Sequence, residues 1–447
     1  MKLTWFKILT IITSIGVVVS NAQFQAEAAQ VLFTPELLLT EEYSDNVYLT
    51  HENEEDDFIT SAGLSLTAQV VGRTAGVELN YTPTYNAFAD NSDLNYWRHA
   101  ARLRAWNDFS RNTRFEFIND YLESEDPLDE TADFTPDDPL QGPSIDPDYN
   151  RRGRGRYRIN AAEASLTHQF GAKDRIYGTF QYSFLEDVDT FAGQPVDDYT
   201  NLRPAFGLDY WFSQNWGTEI EGFYSNRDYE EKNDRQEYTG YFRLLYSIQR
   251  NLSAFAEYRH TFLDYDEETD DDYHIYFPTV GIRYQFQETA HVLLGAGYFI
   301  QDVDNQEDNE EGWGVNAEIY KRWAFRSSYI DVAGSGGYDI DDTGTADLGF
   351  ALIYLGRLGV GYNFTSRFSA EANAAYIYKN YPNREPERTD NIIDAGAGIR
   401  YQALTWMFLG LNYRYRDFQS DIITQEYTEN RVIFSITMRP ATAYRWN

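Results

Sequence analysis

Apolar and polar side chains alternate with a period of two along residues 251–286. Ser253, Glu257, Arg259 and Thr261 fall on one side, while Leu252, Ala254, Ala256, Tyr258 and Phe262 fall on the other. Successive side chains of a strand point to opposite faces, so this is a β pattern. It recurs down the chain. Val292, Leu294, Ala296, Tyr298 and Ile300 share a parity, as do Ile393, Ala395, Ala397, Ile399 and Tyr401. Met407, Leu409, Leu411, Tyr413 and Tyr415 oppose Asn412, Arg414 and Arg416; Val432, Phe434, Ile436 and Met438 oppose Ser435, Thr437 and Arg439. Read this way, residues 31–439 hold about twenty strands and no helix of useful length. The segment 345–364 is long and interrupted by Gly356, Gly359 and Gly361, which leaves eighteen strands as the alternative.

Two kinds of connection alternate between the strands. One kind is short and often basic, as in "GRT" from 72, "SRNT" from 110, "GAKD" from 171, "QRN" from 249 and "TSR" from 365. The other is long and acidic: 51–57, 123–139, 264–272 and 302–311 together hold 26 of the 71 acids in 43 residues. Residues 125–155, with five Pro before "RRGRGR", form the longest connection and could fold over or into a pore. Antiparallel hairpins with short turns at one end and long loops at the other suit a membrane barrel better than a soluble sandwich.

The charges decide between those two. The polar parity carries Arg98, Arg102, Glu116, Glu219, Glu221, Arg243, Glu257, Arg259, Arg283, Glu318, Arg322, Arg400 and Arg414, with further acids such as Asp120 and Asp394. Burying some twenty ions in a dry core would cost several kcal/mol each unless all were paired. A hydrated lumen removes most of that penalty. The predicted fold is therefore all-β, a transmembrane antiparallel up-and-down β-barrel of about 18–20 strands spanning 31–447 as one domain. The thirteen residues named are its candidate pore lining. Asp264, Asp266, Asp270, Asp271 and Asp272 are expected at an extracellular mouth, where carboxylates would concentrate cations.

Composition supports this picture. Among 447 residues there are 36 Tyr and 9 Trp, in keeping with aromatic belts at two membrane interfaces. The net charge of −34 argues against nucleic acid as a partner. With no Cys, disulfides, thiolate metal sites and cysteine catalysis are excluded. Lys2 and Lys7, the apolar run Ile8–Val19 and the small residues around Ala22 predict a signal peptide over 1–22, with cleavage as late as 28. The expected location is the bacterial cell outer membrane, and the expected partners are outer-membrane lipid and lipopolysaccharide.

Catalytic and metal chemistry is weakly supported. His99, His168 and His260 fall on the lipid-facing parity, where interfacial placement explains them, and no Gly-x-Ser-x-Gly elbow occurs. In residues 302–313, Asp302, Asp304 and Asp308 invite calcium, but Glu307 stands where an EF-hand loop needs Gly. Solvated loops are the simpler reading, with weak divalent bridging of loops or lipopolysaccharide as the alternative. The "RRGRGR" run suits either anions or the acidic half of its own loop. No catalytic residue, metal site or cofactor is assigned.

The stretches "TPELLLTEEYSDNVYLTHENEEDDFIT" (34–60) and "NYTPTYNAFADNSDLNYWRHAARLRAWNDF" (80–109) resemble the outer-membrane β-barrel porin 2 type family, most of all the barrels found with exosortase and exopolysaccharide systems. "ASLTHQFGAKDRIYGTFQYSF" (164–184) fits the same style, and the resemblance runs over essentially the whole mature chain. It implies an outer-membrane channel passing hydrophilic solutes or exported exopolysaccharide, with polysaccharide or envelope-export components as further partners. A non-conducting structural or adhesion barrel and a lipid-modifying enzyme are the competing classes. One departure is the C-terminus, "PATAYRWN", which does not end on an aromatic residue.

Overall fold

A computed structural model describes residues 29–128, 153–189, 198–266, 271–287, 290–304, 310–341, 348–382 and 388–446. The expected signal peptide and Asp270 lie outside the described residues. The strands run in chain order β1 (Gln30–Ser44), β2 (Asp57–Val71), β3 (Ala75–Phe88), β4 (Tyr96–Ser110), β5 (Thr113–Ser124), β6 (Tyr157–Gln169) and β7 (Arg175–Asp187). There follow β8 (Tyr199–Tyr210), β9 (Trp216–Tyr229), β10 (Arg235–Gln249), β11 (Leu252–Tyr265), β12 (Tyr273–Gln287), β13 (Ala290–Val303) and β14 (Glu310–Ala324). The last are β15 (Ser328–Asp341), β16 (Gly349–Asn363), β17 (Phe368–Tyr381), β18 (Arg388–Leu404), β19 (Met407–Ser420), β20 (Tyr427–Met438) and β21 (Tyr444–Trp446).

From β1 to β20 each strand pairs antiparallel with its neighbour in sequence, and β1 pairs with both β2 and β20. That last ladder, from Leu37↔Met438 to Ser44↔Arg431, closes the sheet. The barrel has twenty staves, because β21 continues the line of β20 and pairs Val31–Phe33 with Tyr444–Trp446. The glycine-interrupted segment is one strand, β16, which settles the choice between eighteen and twenty. Closure leaves no open edge, the condition for a sheet to cross a membrane. Among the described residues no helix is long and apolar enough to do so.

Two local devices shape the wall. Register shifts at Asp108/Ser110, Ser247/Gln249 and Gln402/Leu404 each fall on the strand entering a two-residue turn, and a fourth falls at Gln285/Gln287 at the end of β12. Such bulges raise local twist and let very short turns close the hairpins. On the inner face, aromatic rings lie flat across glycines of the next strand. A Cβ at Gly207 would come within 2.1 Å of the Tyr177 ring, its cross-strand partner, and one at Gly361 within 2.1 Å of Tyr329. Only a residue without a side chain permits that approach.

The outer face is apolar and exposed, with Leu79, Phe206, Ile220, Phe242, Ile282, Leu294, Leu358 and Phe434 among its residues. The inner face is not uniformly polar, which corrects the expectation of a simple polar lining. On the loop side of β11–β16, Leu263, Tyr273, Ile275, Phe277, Phe299, Tyr338 and Phe350 point inward and bury one another. Their rings fit because β13 and β14 offer Gly297, Gly312 and Gly314 beneath them.

Candidate functional site

The lumen wall is built from charges that strand alternation turns inward. Glu219 on β9 accepts from Arg243 on β10 (Nη1–Oε2, 2.6 Å) and from Arg283 on β12 (Nη1–Oε1, 2.5 Å). Arg243 also donates through Nε to Glu257 on β11 (2.6 Å), whose other oxygen accepts from Asn316 on β14 (3.0 Å). One network thus spans β9 to β14. Glu221 accepts from the Tyr177 hydroxyl. On the opposite arc Arg104 donates to Glu116 (2.7 Å), and Arg102 lies 3.6 Å from Asp120.

All thirteen candidate pore residues occupy the parity opposite the exposed outer-face side chains. Arg98 follows Trp97, Glu219 and Glu221 flank Ile220, Glu257 and Arg259 flank Tyr258, and Arg400 follows Ile399. Glu318 meets His291 at 2.8 Å, Arg322 lies 4.1 Å over the Tyr329 ring, and Arg259 lies 5.2 Å over Tyr338. Arg400 is exposed within the lumen. Among histidines, His99 (with Tyr81), His168 (with Phe170) and His260 stack on outward aromatic rings, whereas His291 faces in.

Hydration of this wall is uneven. The side chains of Arg102 and Arg104 are 35% and 31% exposed, but those of Arg416 and Glu429 only 2% and 1%. The dry side is a ladder of alternating charge. Asp394 on β18 accepts from Arg414 (2.6 Å) and Arg416 (3.1 Å) on β19. Arg416 reaches Glu429 on β20 (3.4 Å), Glu429 accepts from Arg431 (2.5 Å), and Arg431 lies 3.4 Å from Glu42 on β1. Arg431 then donates to Asp126 (2.8 Å), which belongs to a loop.

That loop is why the side is dry. The first long connection (45–56) and the described ends of the third (125–128 and 153–156) turn into the mouth. Leu49 and Leu128 pack on the inward Ile392, Phe418 and Tyr427, and Val47 packs on Ile59, Phe88 and Tyr96. The two loops also hold each other: Gly153 N donates to Tyr48 O (2.8 Å), and Arg154 Nε donates to Val47 O (2.8 Å). Arg154 lies 3.8 Å from Asp126. Asn46 fixes the base of the first loop through Thr428 O (3.0 Å) and both polar backbone atoms of Thr50. Leu49 has φ 56°, a left-handed conformation unusual for a bulky residue and held here by full burial. Burial pushes the Asp126 carboxyl up, but Arg431 and Arg154 outweigh it and hold it well below the usual carboxylate range. Burial pushes the neighbouring Glu125 up. Residues 129–152 of the third loop, and Arg151 and Arg152 of its basic run, lie outside the described residues.

The mouth acids play mixed parts. Asp264 sits within β11 on the outward parity rather than in the loop, because the strand runs on to Tyr265. Asp266 lies 3.5 Å from the Gln236 amide, and Asp272 accepts from Tyr265 N (2.8 Å), closing the hairpin. In the 302–311 loop, residues 305–309, including Glu307 and Asp308, lie outside the described residues. Among the described residues no cluster of His, Asp and Glu could hold a metal ion.

This geometry, a closed barrel with an apolar exterior and an ion-lined interior, agrees with what the chain is similar to. Residues 276–440 match the family described as Putative beta-barrel porin 2. That span runs from within β12 to just past β20. Over that span, under half of the chain, the similarity is to this family, and the fold is a closed antiparallel β-barrel. Among solved structures it is similar to OccK3 (OpdO) of Pseudomonas aeruginosa, at 14% identity and a TM-score of 0.41, covering 91% of this chain and 96% of that one. It is similar also to a BenF-like porin from Pseudomonas fluorescens Pf-5, at 14% identity and a TM-score of 0.41 (93% and 99% covered). For OccAB2 of Acinetobacter baumannii the identity is 13% and the TM-score 0.39 (93% and 98% covered). No curated protein matches the chain.

Sequence reading missed the upper ladder of Glu42, Glu429 and Arg431 and the inward apolar tips Val47, Leu49 and Leu128. The first group was readable, since Glu429 and Arg431 oppose Val432 and Phe434 in parity. For the second, the one signal is an apolar "VYL" set among loop acids.

Proposed function

We propose that this barrel is a passive channel for small hydrophilic solutes, entered past a mouth narrowed by its first and third long loops. The observation that carries this reading is the paired ion lining between β4 and β14, whose members Arg102, Arg104, Glu116 and Arg283 remain partly exposed. Paired charges keep a lumen wet without a large net field, so polar solutes cross without leaving a polar environment. The matched family and the similar structures are porins, and we read the chain as a channel rather than an enzyme. Exported polysaccharide, implied by the resemblance of 34–60 and 80–109, is the second substrate class. It is less favoured, because an extended polymer would need the first and third loops to leave the buried seats at Phe418 and Tyr427.

Planar-bilayer recording of the refolded chain tests the proposal. Stepwise conductance is expected, together with entry of small neutral sugars into protein-loaded vesicles by osmotic swelling. A silent bilayer with no swelling would sink it and leave a structural barrel. Conductance that rises many-fold only when a polysaccharide is threaded would favour export.

A further inference from the structure

The short connections carry a pattern that the channel reading does not use. Phe109 precedes Arg111, Phe170 precedes Lys173, Ile248 precedes Arg250, Phe325 precedes Arg326 and Phe364 precedes Arg367. In every pair the large apolar side chain stands exposed at or beside the last residue of its strand. The cation, one to three residues on, is exposed on the turn. Among the described residues of the short turns the sole acid is Asp174, and its carboxylate is engaged by Trp211 N at 2.8 Å. The opposite end of the barrel carries the acidic loops, so the two rims differ sharply in charge.

Depth follows from the aromatic member. Exposed rings at strand ends of a membrane barrel sit at the boundary between hydrocarbon and headgroups. Here they form continuous surface, as Phe170 stacks with Tyr210 at 6.4 Å and Phe364 with Phe368 at 5.2 Å. A cation one to three residues beyond such a ring is therefore held at headgroup level.

We propose that this basic collar binds the anionic headgroups of phospholipids in the adjacent leaflet and gathers them around the short-turn rim. The occupant is argued from charge complementarity and from distribution. The pairs occur at five short turns spread from β4 to β17, each beside an exposed large apolar side chain, whereas a single soluble partner would meet only one sector. Cations near an anionic surface each contribute up to about fivefold in association, and the effect decays within a Debye length of about 10 Å at 0.1 M salt.

The full chain should be reconstituted in phosphatidylcholine vesicles containing brominated lipid, with quenching of tryptophan fluorescence as the readout. Brominated phosphatidylglycerol is expected to associate several-fold more strongly than brominated phosphatidylcholine at low salt, with the preference falling toward one at about 1 M salt. The variant with Arg111→Gln, Lys173→Gln, Arg250→Gln, Arg326→Gln and Arg367→Gln should lose most of that preference. Should this variant refold poorly, the pair Arg111→Gln and Arg367→Gln, together with the salt series on the unaltered chain, still decides the question. Equal association of the two lipids at low salt, the result expected if the collar serves a soluble acidic macromolecule, would overturn the proposal. So would a preference that the variants keep in full.

Discussion

Arg431→Gln tests whether the third loop is held in the mouth by charge. Arg431 lies 2.8 Å from Asp126, 2.5 Å from Glu429 and 3.4 Å from Glu42, and only 9% of its side chain is exposed. Removing it leaves three carboxylates facing one another on the dry side of the lumen, with Arg416 and Arg154 as the remaining cations nearby. Breaking a buried ion cluster by deleting one member typically costs about 3–5 kcal/mol, since the abandoned charges keep their desolvation penalty. Part of that is recovered if the third loop swings out, and that escape is the functional consequence. We therefore expect a lower midpoint of urea unfolding in lipid vesicles and, in the same protein, a larger single-channel conductance. The double variant Arg431→Gln with Asp126→Asn should recover part of the stability but none of the closure. The folded carboxyl of Asp126 is depressed, so its contribution is present above the unfolded value near 4 and is lost as pH falls through the folded value. Closure should accordingly hold from pH 5 to 8 and weaken only in strong acid. A stability loss below about 1 kcal/mol with unchanged conductance would refute the latch.

Four further outcomes are expected. Leu294→Arg, on the exposed outer face, should cost about 2–4 kcal/mol if near the midplane, while Asn412→Arg on the inner parity should be tolerated; equal losses in a refolding titration would invert the assignment of faces. Gly207→Val should displace the Tyr177 ring and lower the unfolding midpoint, and adding Tyr177→Ala should restore part of it, read by the same titration. Asp266→Asn with Asp271→Asn should reduce a cation preference that itself fades as salt rises, measured as reversal potential in a salt gradient. Burial raises the Asp198 carboxyl to about 6, despite the hydrogen bond from Asp187 N, and nearby Asp187, Glu230 and Glu186 add to the rise. Its ionisation thus disfavours the fold as pH climbs through 6, and Asp198→Asn should stabilise the barrel at pH 7.5 but not at pH 3.5, read by thermal unfolding.

Period-two alternation was enough to place twenty staves and to orient every candidate pore residue, because a one-residue slip would invert both faces of a strand. Arg98 beside Trp97 and Glu257 beside Tyr258 illustrate how local that information is. What alternation could not reveal was vertical position and reach. Phe277 and Phe299 read as ordinary inward residues until the register set them over Gly297, Gly312 and Gly314, strands away in sequence. Arg283 and Glu219 are 64 residues apart, and nothing local joins them. The seats of Leu49 and Leu128 depend on Ile392, Phe418 and Tyr427 from the far end of the chain, so the folding-in of the first loop was invisible. The tail after Arg439 looked like a departure from barrel grammar. It is instead the end of the last stave, interrupted for a few residues before Tyr444–Trp446 returns to β1.

Charge is zoned along the barrel, and each zone follows from its dielectric surroundings. At the loop end excess acid is tolerated because it faces water and is screened. On the lumen wall each ion gives up part of its hydration, so Glu219 takes two Arg partners and Arg243 two acid partners. Pairing there is the condition for burial and leaves little net field to select among solutes. Where the first and third loops exclude most water, pairing extends from couples to an unbroken ladder, Asp394–Arg416–Glu429–Arg431–Asp126. In the proposed channel a solute would therefore meet a field mainly at the acidic entrance. Selection by size would then arise at the loops and selection by charge at the rim, so the two can be altered independently: Arg431 for the first, Asp266 and Asp271 for the second.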